Sequence, residues 1–145
     1  MNPKKIYKNL VKLYQNGQME FKEITKGMIR ISALDDSYQY FDDDVILFVD
    51  MFNPENTIIV SFIFDKINPT FEALQLINNY NVNQTLSKAY IFEDKSGINY
   101  LKIEFLFETI ENDKLALDKI VGVIENLTSE ETLKDLQPLT NLTYK

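Results

Sequence analysis

The chain has 145 residues, of which 45% are hydrophobic and 26% are charged, and this size and composition indicate one globular domain. It has no Cys and no His, which excludes disulfides, zinc-finger ligands, thiolate nucleophiles and a side chain that titrates near neutrality. The 22 acidic and 15 basic residues give a net charge of -7, which opposes direct binding to nucleic acid or to an anionic membrane. We therefore expect proteins or small molecules as partners.

The N-terminal segment MNPKKIYKNLVKLY is basic but lacks an apolar run of signal-peptide length. No apolar stretch in the chain reaches the roughly 18 residues that are needed to span a bilayer. The sequence therefore predicts a cytoplasmic protein without membrane contact.

Four segments carry the start signals and apolar spacing of helices. In an Asn–Pro pair, the Asn can cap a helix and the Pro is well tolerated in the first helical turn. A Thr with a Glu three positions later forms a capping box, which also marks a helix start. The first helix is predicted to end at Gly17, and the short last one before Pro138. The start signals in chain order are Asn2 with Pro3, Asn68 with Pro69, Asn112 or Asp113, and Thr128 with Glu131.

Apolar, extended segments lie between these helices, three before the second helix and two after it. Gly97 can supply the positive φ that a hairpin between the last two requires. The sequence thus predicts a single α+β domain over residues 1–145, in which an antiparallel five-stranded sheet has the order α-β-β-β-α-β-β-α plus a short C-terminal helix. The predicted strands are residues 27–34, 45–52, 57–64, 86–93 and 98–109.

The predicted strands differ in how their apolar residues are distributed. The last strand alternates between apolar and polar residues, whereas VILFVDMF and TIIVSFIF are apolar at both parities. An antiparallel sheet needs only one apolar face for its helices, so an apolar second face implies a further cover or a ligand groove. The expected covers are the second helix or the long terminus, a dimer partner, or a different protein. The residues predicted to form this partner-binding surface are Ile46, Phe48, Phe52, Ile59 and Ile63.

An acidic, aromatic loop is predicted between the first two of these strands. Its carboxylates could attract a hard cation, but the segment lacks the ligand spacing of a calcium loop, so no metal site is predicted. The interleaved Tyr38, Tyr40 and Phe41 would suit contact with a basic partner. The carboxylates of this acidic loop are Asp35, Asp36, Asp42, Asp43 and Asp44.

No catalytic constellation emerges from the remaining residues. The four glycines are too far apart to form a phosphate-binding loop, and Glu104 and Glu108, although on one strand face, show no sign of the burial that raises a carboxylate pKa. The sequence therefore predicts no enzyme activity, no catalytic residues and no cofactor. The only arginine, Arg30, could hold an anion, although a single Arg on a strand is more often a surface ion-pair partner.

The order of elements resembles the type III secretion chaperone-like fold and, within it, the YbjN-like and related chaperone-like families. The segment FEALQLINNYNVNQTLSKAYIFEDKSGINYLKIEFLFET is similar to the helix, strand, turn and strand that lead to the family's final helix. The matching positions are Leu76, Ile77, Asn78 and Asn81. The resemblance implies a non-enzymatic protein without a cofactor that forms a dimer or binds extended segments of a partner.

Two functions remain as alternatives. The first is a chaperone-like or adaptor module that binds a partner protein, or a second copy of the chain, through the apolar second face of the sheet. The other is a small acidic inhibitor or immunity protein that blocks a basic nucleic-acid enzyme, because a dense carboxylate surface can imitate phosphates and steer association.

Overall fold

The structure, a computed structural model, describes residues 2–15, 19–25, 27–33, 46–51, 56–108 and 110–126. Over these residues the chain forms three helices and six strands, and it is an α+β fold as the sequence predicts. The elements are α1 (Pro3–Leu13), β1 (Met19–Thr25), β2 (Met28–Ala33), β3 (Ile46–Asp50), β4 (Ile58–Lys66), α2 (Phe71–Asn83), β5 (Ser87–Glu93), β6 (Asn99–Phe107) and α3 (Asp113–Asn126).

The first and third helices begin at predicted capping residues. The Asn2 side chain accepts a hydrogen bond from the Lys5 N–H at 3.3 Å, and the Asn112 side chain accepts one from the Leu115 N–H at 2.8 Å. Each bond satisfies a backbone donor of the first turn that has no partner within the helix. Helix α1 ends at Leu13, some residues before the predicted end.

The second helix begins later than predicted. The expected cap at Asn68 is wrong, because the Thr70 hydroxyl accepts from the Ala73 N–H at 3.1 Å and α2 starts at Phe71. The Asn–Pro pair lies in the preceding loop instead. The predicted short fourth helix falls outside the described residues.

The sheet has six antiparallel strands in the order β1-β2-β3-β4-β6-β5, so the predicted five-stranded sheet is wrong. The missed strand is β1, with the sequence MEFKEIT. It pairs with β2 alone, and its inner face carries Met19 and Phe21 but then Glu23, which breaks the apolar alternation. Charged residues of this kind are typical of edge strands. The other five predicted strands overlap observed ones, and Gly97 has the expected positive φ, at 80°.

All three helices contribute to one core on one face of the sheet, which we call the inner face. The alternating apolar residues of strand β6 lie there, with Leu101 and Ile103 fully buried. Since α2 packs on this same face, the expectation that the second helix covers the other face is wrong, and the terminus named as the alternative cover lies outside the described residues. The buried helix residues are Ile6 and Leu10 of α1, Ala73 and Ile77 of α2, and Ala116, Ile120, Val123 and Ile124 of α3.

Helices α1 and α3 also contact each other directly. The Asn2 N–H donates to Asp113 Oδ1 at 2.7 Å, so the cap of the first helix touches the first turn of the third. A carboxylate in a first helical turn is stabilised by the helix dipole. The two helices are thereby joined at their N-terminal ends.

Candidate protein-binding surface

The face of the sheet that points away from the three helices is the candidate site, and we call it the open face. Successive side chains of a strand point to opposite faces, and residues paired across neighbouring strands share a face. Among the described residues no helix packs on this side. The open face carries Glu20, Lys22, Met28, Arg30, Ser32, Phe48, Asp50, Ile59, Ser61, Ile63, Tyr90, Phe92, Tyr100, Lys102, Glu104 and Leu106.

An apolar depression lies at the centre of the open face. Phe48, Ile59 and Ile63 line it and are half-buried, although no described helix covers them. Its volume is about 280 Å³, and Met28, Asp50 and Ser61 also line it. Three of the five residues predicted to bind a partner therefore meet at one place.

The other two predicted residues are less well defined. The backbone of Ile46 pairs with Ile63 in the β3–β4 ladder, and Phe52 lies outside the described residues. The acidic loop also lies outside them, at Asp35, Asp36, Asp42, Asp43 and Asp44, so the structure does not bear on the inhibitor hypothesis.

On the β5–β6 side a polar network borders the depression. Lys102 Nζ lies 3.7 Å from Glu104 Oε2, and that oxygen also accepts from the Tyr90 hydroxyl at 2.8 Å. The Lys102 ammonium is 5.5 Å from the ring centroids of both Tyr90 and Phe92. Burial, together with the hydrogen bond to Glu104, raises the pKa of Tyr90 above its usual value. These charges are satisfied by one another.

The β1–β2 side of the open face is different, because among the described residues its two cations make no ion pair. Lys22 and Arg30 are paired across β1 and β2, and with Ser32 and Glu20 they line a second depression of about 200 Å³. Arg30 was expected to be a surface ion-pair partner. Within the described part of the chain its guanidinium makes no ion pair, and that expectation stays a prediction.

The two depressions adjoin each other. Arg30 is paired with Phe48 across β2 and β3, and Phe48 is paired with Ser61 across β3 and β4. A row of side chains across the strands therefore runs from cationic to apolar. Sequence reasoning singled out Arg30 and Phe48 separately, but their adjacency depends on strand register, which no local pattern reveals.

The edge of the sheet at β5 is closed by the second helix. The Asn81 side chain donates to the Ala89 carbonyl at 2.8 Å and accepts from the Ala89 N–H at 2.6 Å. Because the N–H and carbonyl of one strand residue point to the same side, Ala89 directs both groups away from β6. Asn81 thus takes the place that an added strand would occupy, which gives a physical role to one position of the resemblance.

The opposite edge, at β1, is covered in part by the first helix. The Tyr7 hydroxyl donates to the Phe21 carbonyl at 3.2 Å. Edge strands with unpaired backbone groups are the usual place for a peptide to add to a sheet. With a helix side chain bonded to the backbone at each edge, the open face remains as the candidate surface for a partner.

Two further findings concern other kinds of site. The described ranges contain no group of three or more acidic side chains placed to hold a metal ion. None of the three helices is long and apolar enough to cross a membrane.

The fold is similar to the crystal structure of YbjN, a proposed transcription regulator from E. coli. The two match with a TM-score of 0.58 over 90% of each chain, at 12% sequence identity. No protein-family model matches the sequence, and no curated protein matches it. The expected YbjN-like resemblance is therefore confirmed for the fold, while function has to be argued from the surface itself.

Proposed function

We propose that the protein is a non-enzymatic binding module that receives a partner protein on the open face of its sheet. The observation that carries this proposal is the apolar depression at Phe48, Ile59 and Ile63, on a face that no described helix covers. An aromatic anchor in a central apolar depression with a polar rim is the arrangement found in protein interfaces.

The carboxylates that the sequence offers for acid–base chemistry support a binding role over catalysis. Glu104 is engaged by Lys102 and by the Tyr90 hydroxyl, and Glu108 is exposed just beyond the end of β6. A general acid or base needs a reacting group within hydrogen-bond reach and a tuned pKa. Here one carboxylate is already bonded to its neighbours on the sheet and the other faces solvent.

A different protein suits the open face better than a second copy. Two copies would each carry a net charge of -7, so their approach is opposed by electrostatic repulsion.

The test replaces Phe48 with a charged residue. A partner identified by mass spectrometry after a pull-down is purified, and its dissociation constant is measured by calorimetry against wild type and Phe48→Glu. We expect a loss of affinity of about 30-fold or more, because a central interface anchor contributes at least about 2 kcal/mol.

The matched control is Phe71→Glu. Phe71 is 81% exposed in the first turn of α2, so the same substitution there leaves the open face intact and suits the helix N-terminus. Circular dichroism checks that Phe48→Glu remains folded. Unchanged partner affinity in folded Phe48→Glu would overturn the proposal, as would light scattering that shows a dimer which this variant dissociates.

A further inference from the structure

We propose that the partner presents an extended segment with a single acidic side chain to the open face. In this segment an Asp or Glu side chain contacts Lys22 and Arg30, and a bulky apolar side chain two or three residues away fills the depression at Phe48. The inference rests on the proposed function and adds to it the chemistry of the partner.

The first support is the unusual placement of two cations. Lys22 and Arg30 stand directly opposite each other on neighbouring strands, where like charges repel. Both are exposed, and neither makes an ion pair or side-chain hydrogen bond in the described part of the chain. A carboxylate between them would turn this repulsion into two charge-assisted hydrogen bonds.

The second support is the depression that surrounds these cations. Ser32 adds a hydroxyl donor beside Arg30 on the same strand face, and Glu20 places one carboxylate at the rim. The four lining residues thus carry a net charge of +1. This matches a single carboxylate, whereas a densely charged phosphate backbone would be repelled by Glu20 and by the chain's overall charge of -7.

The third support is the distance between the cationic and apolar depressions. Arg30 faces Phe48 across one strand spacing, and the apolar depression continues to Ile59 and Ile63 on β4. Neighbouring strands are about 4.8 Å apart, so the two depressions are centred about 10 Å apart. An extended chain advances about 3.3 Å per residue, which gives the separation of two or three residues.

A segment with this spacing crosses the strands of the sheet instead of pairing with an edge strand. This direction fits the two edges, where Asn81 and Tyr7 already bond outward-facing backbone groups of β5 and β1. Side chains, more than backbone hydrogen bonds, would then determine which segment binds.

The experiment selects 12-residue peptides from a random phage-displayed library against four forms of the full chain. These are wild type, Phe48→Glu, the double variant Lys22→Gln with Arg30→Gln, and a control double variant, Lys4→Gln with Lys8→Gln. The control removes one exposed positive charge at each of two positions on α1, on the helix side of the sheet.

Wild type and the control are expected to enrich peptides with an acidic residue two or three positions from a bulky apolar one. The Lys22→Gln, Arg30→Gln variant should lose the acidic preference and keep the apolar one. A synthetic peptide taken from the wild-type selection should bind this variant about tenfold more weakly or worse, since hydrogen bonds to charged groups are among the stronger ones.

The outcomes separate the two proposals. Peptides that need Phe48 but show no acidic preference, or an acidic preference that survives in the Lys22→Gln, Arg30→Gln variant, would overturn the inference and leave the proposed function intact. Failure to enrich any peptide, or equal enrichment by Phe48→Glu, would overturn both.

Discussion

The two faces of the sheet are built from the same strands but are used differently. On the inner face Val49, Val60 and Phe62 are at most 2% exposed, because three helices pack over them. On the open face Phe48, Ile59 and Ile63 belong to the same two strands and stay partly exposed. Apolar residues at both parities therefore indicate that both faces of these strands are apolar, while only the packing of the helices shows which face is covered.

The largest expected effect tests this difference with one substitution at two places. Phe62→Ala on the inner face should lower the free energy of unfolding by about 3–5 kcal/mol, since Phe62 is 2% exposed. Its ring also packs edge-on against Phe105, with the two ring centroids 5.7 Å apart. Phe48→Ala on the open face should cost about 1–2 kcal/mol, because less apolar area is buried there. Urea unfolding measures both values.

Equal losses in the free energy of unfolding for Phe62→Ala and Phe48→Ala would contradict the difference between the two faces. They would mean that Phe48 is as fully packed in solution as Phe62, and the open face would then be filled within the monomer.

The next largest effect concerns the β5 edge, where the two faces meet. Asn81→Ala leaves the N–H and carbonyl of Ala89 without their partner, at an expected cost of about 2 kcal/mol. Native-state hydrogen exchange should show the Ala89 amide exchanging at least about tenfold faster, as a loss of this size predicts.

Asn78→Ala is the control for this variant. Asn78 belongs to the same resemblance motif, but it is exposed and makes no side-chain hydrogen bond within the described residues. The substitution should change stability by less than about 0.5 kcal/mol. Similar losses in both variants would show that helix α2, and not the edge contact, is what Asn81→Ala disturbs.

A smaller effect is expected from the polar network of the open face. Glu104→Gln removes the ion pair with Lys102, which is partly exposed, and should cost less than about 1 kcal/mol. Because salt screens such pairs, the difference from wild type should shrink in 1 M salt, where the screening length is about 3 Å. A large, salt-insensitive loss would place this pair among the core contacts.

The smallest effect is a pH dependence at Tyr90. Its pKa is raised above 10.0 by burial and by the hydrogen bond to Glu104, so the folded chain holds this proton more tightly than the unfolded chain. The stability gained is fully present below pH 10 and declines as the pH rises through the raised pKa. Between pH 8 and 11 the free energy of unfolding should fall less steeply with pH for Tyr90→Phe than for wild type. Identical slopes for the two proteins would contradict this assignment.

Short-range signals account for what the sequence could predict. Asn2 and Asn112 cap helices, and Gly97 forms the last hairpin, because each acts on residues only a few positions away. Strand β1 was missed since Glu23 interrupts its inner face, as edge strands tolerate. With β1 missed, the opposition of Lys22 to Arg30 could not be predicted at all.

The candidate surface was predictable only in part for the same reason. The composition of β3 and β4 indicated Phe48, Ile59 and Ile63, because apolar residues at both parities are visible in the sequence. The contact between Asn81 and Ala89 depends on how α2 lies against β5, which is a property of the assembled fold. The resemblance marked Asn81 as a matching position without indicating its contact.

The hydrogen bond between Asn2 and Asp113 has a consequence for the order in which the protein folds. It joins residues 111 positions apart, whereas β1 to β4 pair with neighbours in sequence. At synthesis rates of about 5–20 residues per second, α1 precedes α3 on the ribosome by about 5–20 s. The sheet's first hairpins can form in that interval, since loops with short closure distances form early. Helix α1 is therefore synthesised before the other elements, yet its packing is completed only when α3 arrives.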